Sequence, residues 1–438
     1  MTTTAVTDSL PQTALGIRVK LSIMMFLQYA IWGAWLPLFF AFLTGYRGLT
    51  PEKAALLFSI GAAGALVAPF LAGQIADRWF NTEKFLGLSH LIGAVLVWRL
   101  ADVSSYGELV IYSVLYSVIY APTLALTNSL AFHHLVDRDK EFGKVRVWGT
   151  IGWIIVGIAI GQWLLYRHSQ GETAAEIAHA QVAGMGDSLR LSAILGVVMG
   201  IFCFMLPATP PRRDKQNFAA LEATREVFRS PALLVLFLIS FVIACVHQFY
   251  FVLTAPFLQT TIQSSSAAGV AKGINRIFGV GGGGLMTIGQ ISEMCVLALM
   301  PLIVKKVSYK ALLCIGVLAY TLRFGVFAYL PYPAAVIPAL ALHGVCFGCF
   351  FFIAFMIVDE LTTKDVRASA QSLYGLIVFG LGVVGGNLLS GYISSISHTA
   401  DGLSYTRMFG IPMWISLACL ILLALAYPAK ANPGRRII

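Results

Sequence analysis

PATPPRRDKQNFAALEATREVFRSP, residues 207–231, is the most polar long stretch of this chain. On both sides of it, apolar runs of about 20 residues, the length an α-helix needs to cross a hydrocarbon core, follow one another with short interruptions. Reading outward, they predict helices over 21–43, 54–76, 84–103, 109–133, 146–166 and 189–207 before it, and over 231–258, 282–304, 309–330, 333–358, 368–394 and 407–428 after it. The polar stretch is therefore a linker between two groups of six.

Of the 438 residues, 58% are hydrophobic and only 11% charged, too few polar groups to wet the surface of a soluble domain. The expected class is an all-α membrane protein with twelve transmembrane helices in two six-helix halves. Its expected parts are an N-terminal tail (1–20), a six-helix bundle (21–207), a linker (208–230), a second bundle (231–428) and a C-terminal tail (429–438). The net charge of +10 follows membrane logic, not nucleic-acid logic. With the N-terminus inside, most basic residues fall on cytoplasmic segments, among them Arg138, Lys140, Lys144, Arg212, Arg213, Lys305 and Lys306, as the positive-inside bias requires. Both tails and the linker are thus expected in the cytoplasm, and the chain in the plasma or inner membrane. The first apolar run is of full span length with no small-residue cleavage site after it, so it reads as an anchor. All seven cysteines lie in predicted spans, where they behave as small hydrophobes. Cys346 and Cys349 have no second pair at ligand spacing, and no metal or other cofactor is implied.

Corresponding helices of the halves share features. RVWGTIGWIIVGIAIG in the fifth span and RASAQSLYGLIVFGLGVVGG in the eleventh both open with Arg and carry Gly at small-xxx-small intervals. Such a trace fits halves related by an axis along the membrane normal, with a site near the midplane between them.

No water satisfies a polar group in the bilayer core, so each polar side chain there needs a protein partner, a cavity or a ligand. Of the 20 acidic residues only Glu293 falls near the middle of a span. An ionised side chain there costs roughly 2.5–3.5 kcal/mol, which makes it a functional candidate by default; a protonated Glu bonded to a neighbouring helix is the plainer alternative. Gln290 lies one turn before it on the same face. Other spans carry polar and aromatic stripes at helical spacing: Gln28, Trp32 and Trp35 in the first, Thr123, Thr127 and Asn128 in the fourth, Arg146, Thr150 and Trp153 in the fifth, His247, Gln248 and Phe251 in the seventh, His343 and Phe347 in the tenth. Aromatics so spaced equally suit a lipid-facing or core surface. Arg146 opens its predicted span and equally suits a headgroup anchor. Carboxylate, amides and planar rings together match a ligand with vicinal hydroxyls, a donor–acceptor edge and a π-face, which favours a nucleoside over a sugar.

FLQYAIWGAWL (26–36), GQIADRW (73–79), YAPTLALTNSLAF (120–132), RVWGTIGW (146–153), QISE (290–293) and RASAQ (367–371) resemble, in matching order, the nucleoside:H+ symporter family of the major facilitator superfamily. The resemblance implies a central nucleoside site. It places Arg146, Thr150 and Trp153 on the fifth-helix motif, Gln248 on a seventh-helix Gln, Gln290 and Glu293 on the eighth-helix motif and Phe347 on a tenth-helix aromatic. Asp77 and Arg78 fall on the start of the superfamily loop signature, as gating or structural residues. The chain departs from the family at His343, where Tyr is familiar, at Gly348, where an Asp can stand, and at Phe251, a polar position elsewhere.

The expected activity is nucleoside import by proton symport with alternating access, by a monomer, with Glu293 carrying the proton. The competing classes are a sugar permease, a drug exporter, a pore and a polytopic membrane enzyme. The run GVGGGG (279–284) opens a membrane helix and lacks the Lys of a phosphate loop, so no nucleotide-driven pump is expected.

Overall fold

A computed structural model describes residues 13–75, 81–210, 220–263, 269–363, 366–400 and 402–428. Eleven helical stretches among them are long and apolar enough to span a membrane: Leu15–Tyr46, Thr82–Asp102, Tyr106–His134, Lys140–Arg167, Ala174–Cys203, Pro231–Thr261, Gly283–Ile303, Tyr309–Tyr329, Pro333–Leu361, Ser369–Ile396 and Tyr405–Ala426. The 25-residue helix Pro51–Ile75 is the twelfth, second in chain order. Asp77 and Arg78 lie outside the described residues.

Several helix ends depart from the apolar runs because polar residues extend a helix that hydropathy alone cuts short. The fifth helix starts at Arg138, where the Asp137 side chain caps the Lys140 amide at 3.2 Å. Arg146 therefore sits two turns inside its helix and does not open it. The sixth is preceded by a separate helix, Ala174–Gly184, begun by a capping box between Thr173 and Glu176. Ser230, Ser308 and Ser404 cap the seventh, ninth and twelfth. Within the linker, Ala220–Arg229 is helical, and Glu226 accepts a hydrogen bond from the Thr363 amide at 2.9 Å, fastening this helix to the turn after the tenth span.

Close packing within each half runs through small residues, which let backbones approach where lipid supplies no hydrophobic drive. A Cβ on Gly33 would strike the Trp153 ring, and one on Gly152 the Phe26 carbonyl, so the first and fifth helices lie hard together. Gly344 brings the tenth helix onto the backbone of Ser292 and Glu293 in the eighth. Phe347–Phe352 and Leu376–Gly382 are wide π-type turns within the tenth and eleventh helices, a distortion common at functional sites.

Among the described residues, contacts between the halves gather toward the end remote from the linker. There Gly391 meets Ala55, Ser59 Oγ donates to the Val384 carbonyl (3.3 Å), and Gly157 meets Thr287. The glycine run explains itself here. Gly279 (φ +71°) lies flat on the backbone of Gly161 and Gln162, and Gly282 (φ +81°) on that of Ala255, conformations and clearances that a side chain would destroy. Val280 N–H donates to the Gly161 carbonyl at 3.0 Å. The neighbouring helix Val270–Phe278 is docked, with Gln162 Nε2 donating to the Arg276 carbonyl at 3.0 Å and Gln263 bridging Gly279 and Gly282 at 2.7 Å each.

Candidate functional site between the two halves

The eighth helix sets the geometry. Its Gly289 lets Tyr250 and His343 press against the backbone, and Ser292 Oγ donates to the Ala341 carbonyl at 2.5 Å, so the face bearing Gln290 and Glu293 is fixed against the seventh and tenth helices. Glu293 keeps 21% of its side-chain accessibility, whereas His343 beside it keeps 1%. Glu293 Oε2 stands 3.5 Å from His343 Nε2. From the other half, the fifth helix, which carries Arg146, packs against the eighth. The Arg146 guanidinium lies 4.0 Å from the centroid of Tyr29. A carboxylate at the middle of the eighth helix and a guanidinium two turns into the fifth thus belong to helices that pack together across the halves.

Aromatic rings line the same divide. Trp153 meets Trp32 edge-on at 5.6 Å and, across the halves, Phe251 at 6.4 Å. Phe251 in turn packs edge-on against His343 (5.8 Å) and His247 (5.2 Å), and Phe347 lies 6.0 Å from Phe351. Gln290 is buried with its Oε1 unpartnered, an acceptor without a donor that a ligand could supply. Thr150 is half-buried, and buried Gln248 packs its Cγ against Gly386.

Other residues are committed within the first half. Gln28 donates to Thr123 Oγ1 and its Oε1 bonds His90 Nε2, both at 2.9 Å, while Tyr120 donates to its carbonyl at 2.8 Å. Thr127 donates to the Thr123 and Leu124 carbonyls, and Asn128 Nδ2 to that of Leu124, leaving Asn128 Oδ1 unpartnered.

Sequence reasoning passed over Arg323. It lies in the ninth helix, fully buried, its NH1 3.1 Å from His343 Nδ1 and its guanidinium packed over Tyr250, Tyr320 and Phe324 at 4.5, 5.1 and 4.9 Å. Tyr320 Oη bonds His247 Nδ1 at 2.7 Å, and the rings of His247 and Tyr250 stack on His343 at 5.4 and 4.4 Å. The signal was present: an Arg in the apolar run YKALLCIGVLAYTLRFGVFAY is as costly as an acid. A survey of acids alone does not find it.

Comparison with known proteins agrees with this architecture. A profile described as "Nucleoside H+ symporter" matches residues 15–432. Among curated relatives, the transporter YegT of Escherichia coli (strain K12) is 30% identical over 85% of this chain and 83% of its own. The xanthosine permease of the same strain is 26% identical over 86% and 88%, and its nucleoside permease NupG 24% over 89% and 90%. The crystal structure of the nucleoside transporter NupG superposes with a TM-score of 0.80 at 22% identity, over 95% of this chain and all of that one. A D-xylose–proton symporter shares the fold more distantly, with a TM-score of 0.69 at 12% identity over 95% and 99%. The molecule is a multi-pass transporter of the major facilitator fold and not an enzyme; on the match across nearly its whole length, the chain belongs to the nucleoside H+ symporter family.

Proposed function

We propose that this transporter binds its nucleoside in the divide between the halves and that Glu293 carries the coupled proton. Arg146, Thr150 and Trp153, with Trp32 behind them and Asn128 on the fourth helix, form one wall; Gln248, Gln290, Glu293, His343 and Phe347 form the other. Gln28 and Thr127 support the first wall from within its half. The observation that carries the reading is a partly exposed carboxylate at mid-helix, 3.5 Å from His343 on its own half and on the helix that packs against the Arg146-bearing fifth helix of the other. Such a carboxylate can accept from both ribose hydroxyls, Gln290 offers an amide edge to the base, and Trp153 offers a stacking face.

The membrane-facing charge pattern supports cytoplasmic termini, so the contacts at the remote end support a state closed to the outside and open toward the cytoplasm. Rocking of the 21–207 and 231–428 units about the site then alternates access, with Asp77 and Arg78 at the cytoplasmic gate and one chain sufficient for the cycle. A positive charge moving inward through about 100 mV supplies roughly 2.3 kcal/mol, enough for about a fifty-fold gradient.

The test is Glu293→Gln in proteoliposomes. Accumulation of labelled nucleoside against its gradient is expected to vanish while one-for-one exchange continues. Uptake that remains driven by a pH gradient in this variant removes Glu293 from the role. A panel of adenosine, uridine, xanthosine and glucose as competitors tests the substrate class in the same vesicles.

A further inference from the structure

Arg323 is a permanent cation, buried in the second half and, among the described residues, with no carboxylate in ion-pair contact. A guanidinium has five N–H donors and no acceptor. Its 3.1 Å bond to His343 can therefore run only one way, from Arg323 NH1 to an unprotonated Nδ1. An imidazole with a bare Nδ1 is neutral and carries its hydrogen on Nε2. That nitrogen is the one 3.5 Å from Glu293 Oε2. Two of the guanidinium nitrogens, Nε and NH2, have no hydrogen-bond partner and face rings instead, so the bond to His343 is the directional contact that Arg323 makes.

We propose that Arg323 is the positioning residue of the proton site: by holding a donor against His343 Nδ1 it locks His343 as the neutral Nε2–H tautomer, aims that hydrogen at Glu293, and leaves the carboxyl as the one titrating member of the trio. This rests on the reading of Glu293 as the proton carrier. The other ionisable groups around the pair agree with it. From the seventh helix, His247 presents a flat ring and is itself engaged by Tyr320, and Tyr250 gives its hydroxyl to the Met286 carbonyl at 3.1 Å. From the tenth helix itself comes the buried thiol of Cys346, and from the fifth the Arg146 charge. An imidazolium at His343 would place a second cation directly against Arg323, a repulsion that a low-dielectric interior magnifies. A histidine free to titrate beside Glu293 would take up the coupled proton itself and blur the stoichiometry of transport; a locked one cannot.

Two measurements decide it. The first is nitrogen-15 NMR of histidine-labelled protein in nanodiscs, with the His343 signals assigned by their loss in His343→Gln. A neutral ring protonated at Nε2 throughout about pH 5 to 8, the range in which a free histidine titrates, is expected; an Nδ1–H tautomer, or an imidazolium appearing in that range, overturns the proposal and needs no variant at Arg323 to fold. The second is the pH profile of nucleoside uptake. Arg323→Lys is expected to keep the single-limbed profile of the natural protein, and Arg323→Gln to gain a second limb that disappears again in Arg323→Gln/His343→Gln. An Arg323→Gln profile that superposes on that of the natural protein refutes the lock, since a merely structural role lowers the amplitude without adding a limb. Glu293→Gln in the same assay separates the two readings. If its uptake still varies with pH, the proton site is elsewhere; if it is flat while Arg323→Gln is unaltered, only the role of Arg323 fails.

Discussion

The amide of Val280 donates to the carbonyl of Gly161 at 3.0 Å, a main-chain hydrogen bond that joins the two halves of the transporter directly. It is possible because Gly279 beside it adopts φ +71° and lies against Gly161 and Gln162 with no side chain between. A seal made of backbone depends on every atom that is missing from it.

Gly279→Ala should loosen that seal. Gly279 combines φ +71° with ψ −163°, a conformation essentially confined to glycine, and another residue held there costs roughly 1–3 kcal/mol, so the form open at this end should gain roughly 5- to 150-fold in population. Spin labels at Tyr166 and Lys272, one on each half, would report a longer distance in the variant; an unaltered distance distribution contradicts the prediction.

Trp153→Ala should weaken nucleoside binding far more than Trp153→Phe. Base stacking on an aromatic side chain is worth about 1–3 kcal/mol, a loss of roughly 5- to 150-fold in affinity on truncation. Calorimetric titration of the purified protein measures it, and equal affinities of the Ala and Phe variants would move the base away from Trp153.

The Arg146 guanidinium rests on the ring of Tyr29, so Tyr29 should matter to the site. Tyr29→Phe is expected to bind nucleoside normally, and Tyr29→Leu to lose about two- to fivefold, the value of an exposed cation–π contact of roughly 0.5–1 kcal/mol. Equal losses in both variants would assign the effect to the hydroxyl and not to the ring.

Gln28→Leu should act mainly on stability. It leaves the buried Nε2 of His90 without a partner, at about 1–3 kcal/mol for the orphaned group, while Thr123 Oγ1 loses one bond and keeps the one it donates to the Tyr120 carbonyl. A lowered Tm by scanning calorimetry is expected, larger than that of Gln28→Glu paired with His90→Gln, which restores a hydrogen-bonded contact. An unshifted Tm would show the network to be energetically idle.

Most of the fold was legible because the bilayer makes hydropathy nearly sufficient: twelve apolar runs became twelve helices. What hydropathy could not mark were helix ends built from charged residues. Hence Arg146 looked like a helix opener until the cap at Asp137 placed its helix start at Arg138. Glu293 was legible as a solitary acid, and its neighbours at one-turn spacing with it. Which polar residues share a neighbourhood was not legible, because partners such as Gln28, His90 and Thr123 belong to three different helices and only packing brings them together. Arg323 was visible in the sequence, yet its bond to His343 depends on the crossing of two helices, which spacing along one chain does not encode.

The linker helix carries one more consequence. Because Glu226 is tied to the Thr363 amide, Ala220–Arg229 travels as cargo of the second half whenever the two bodies tilt.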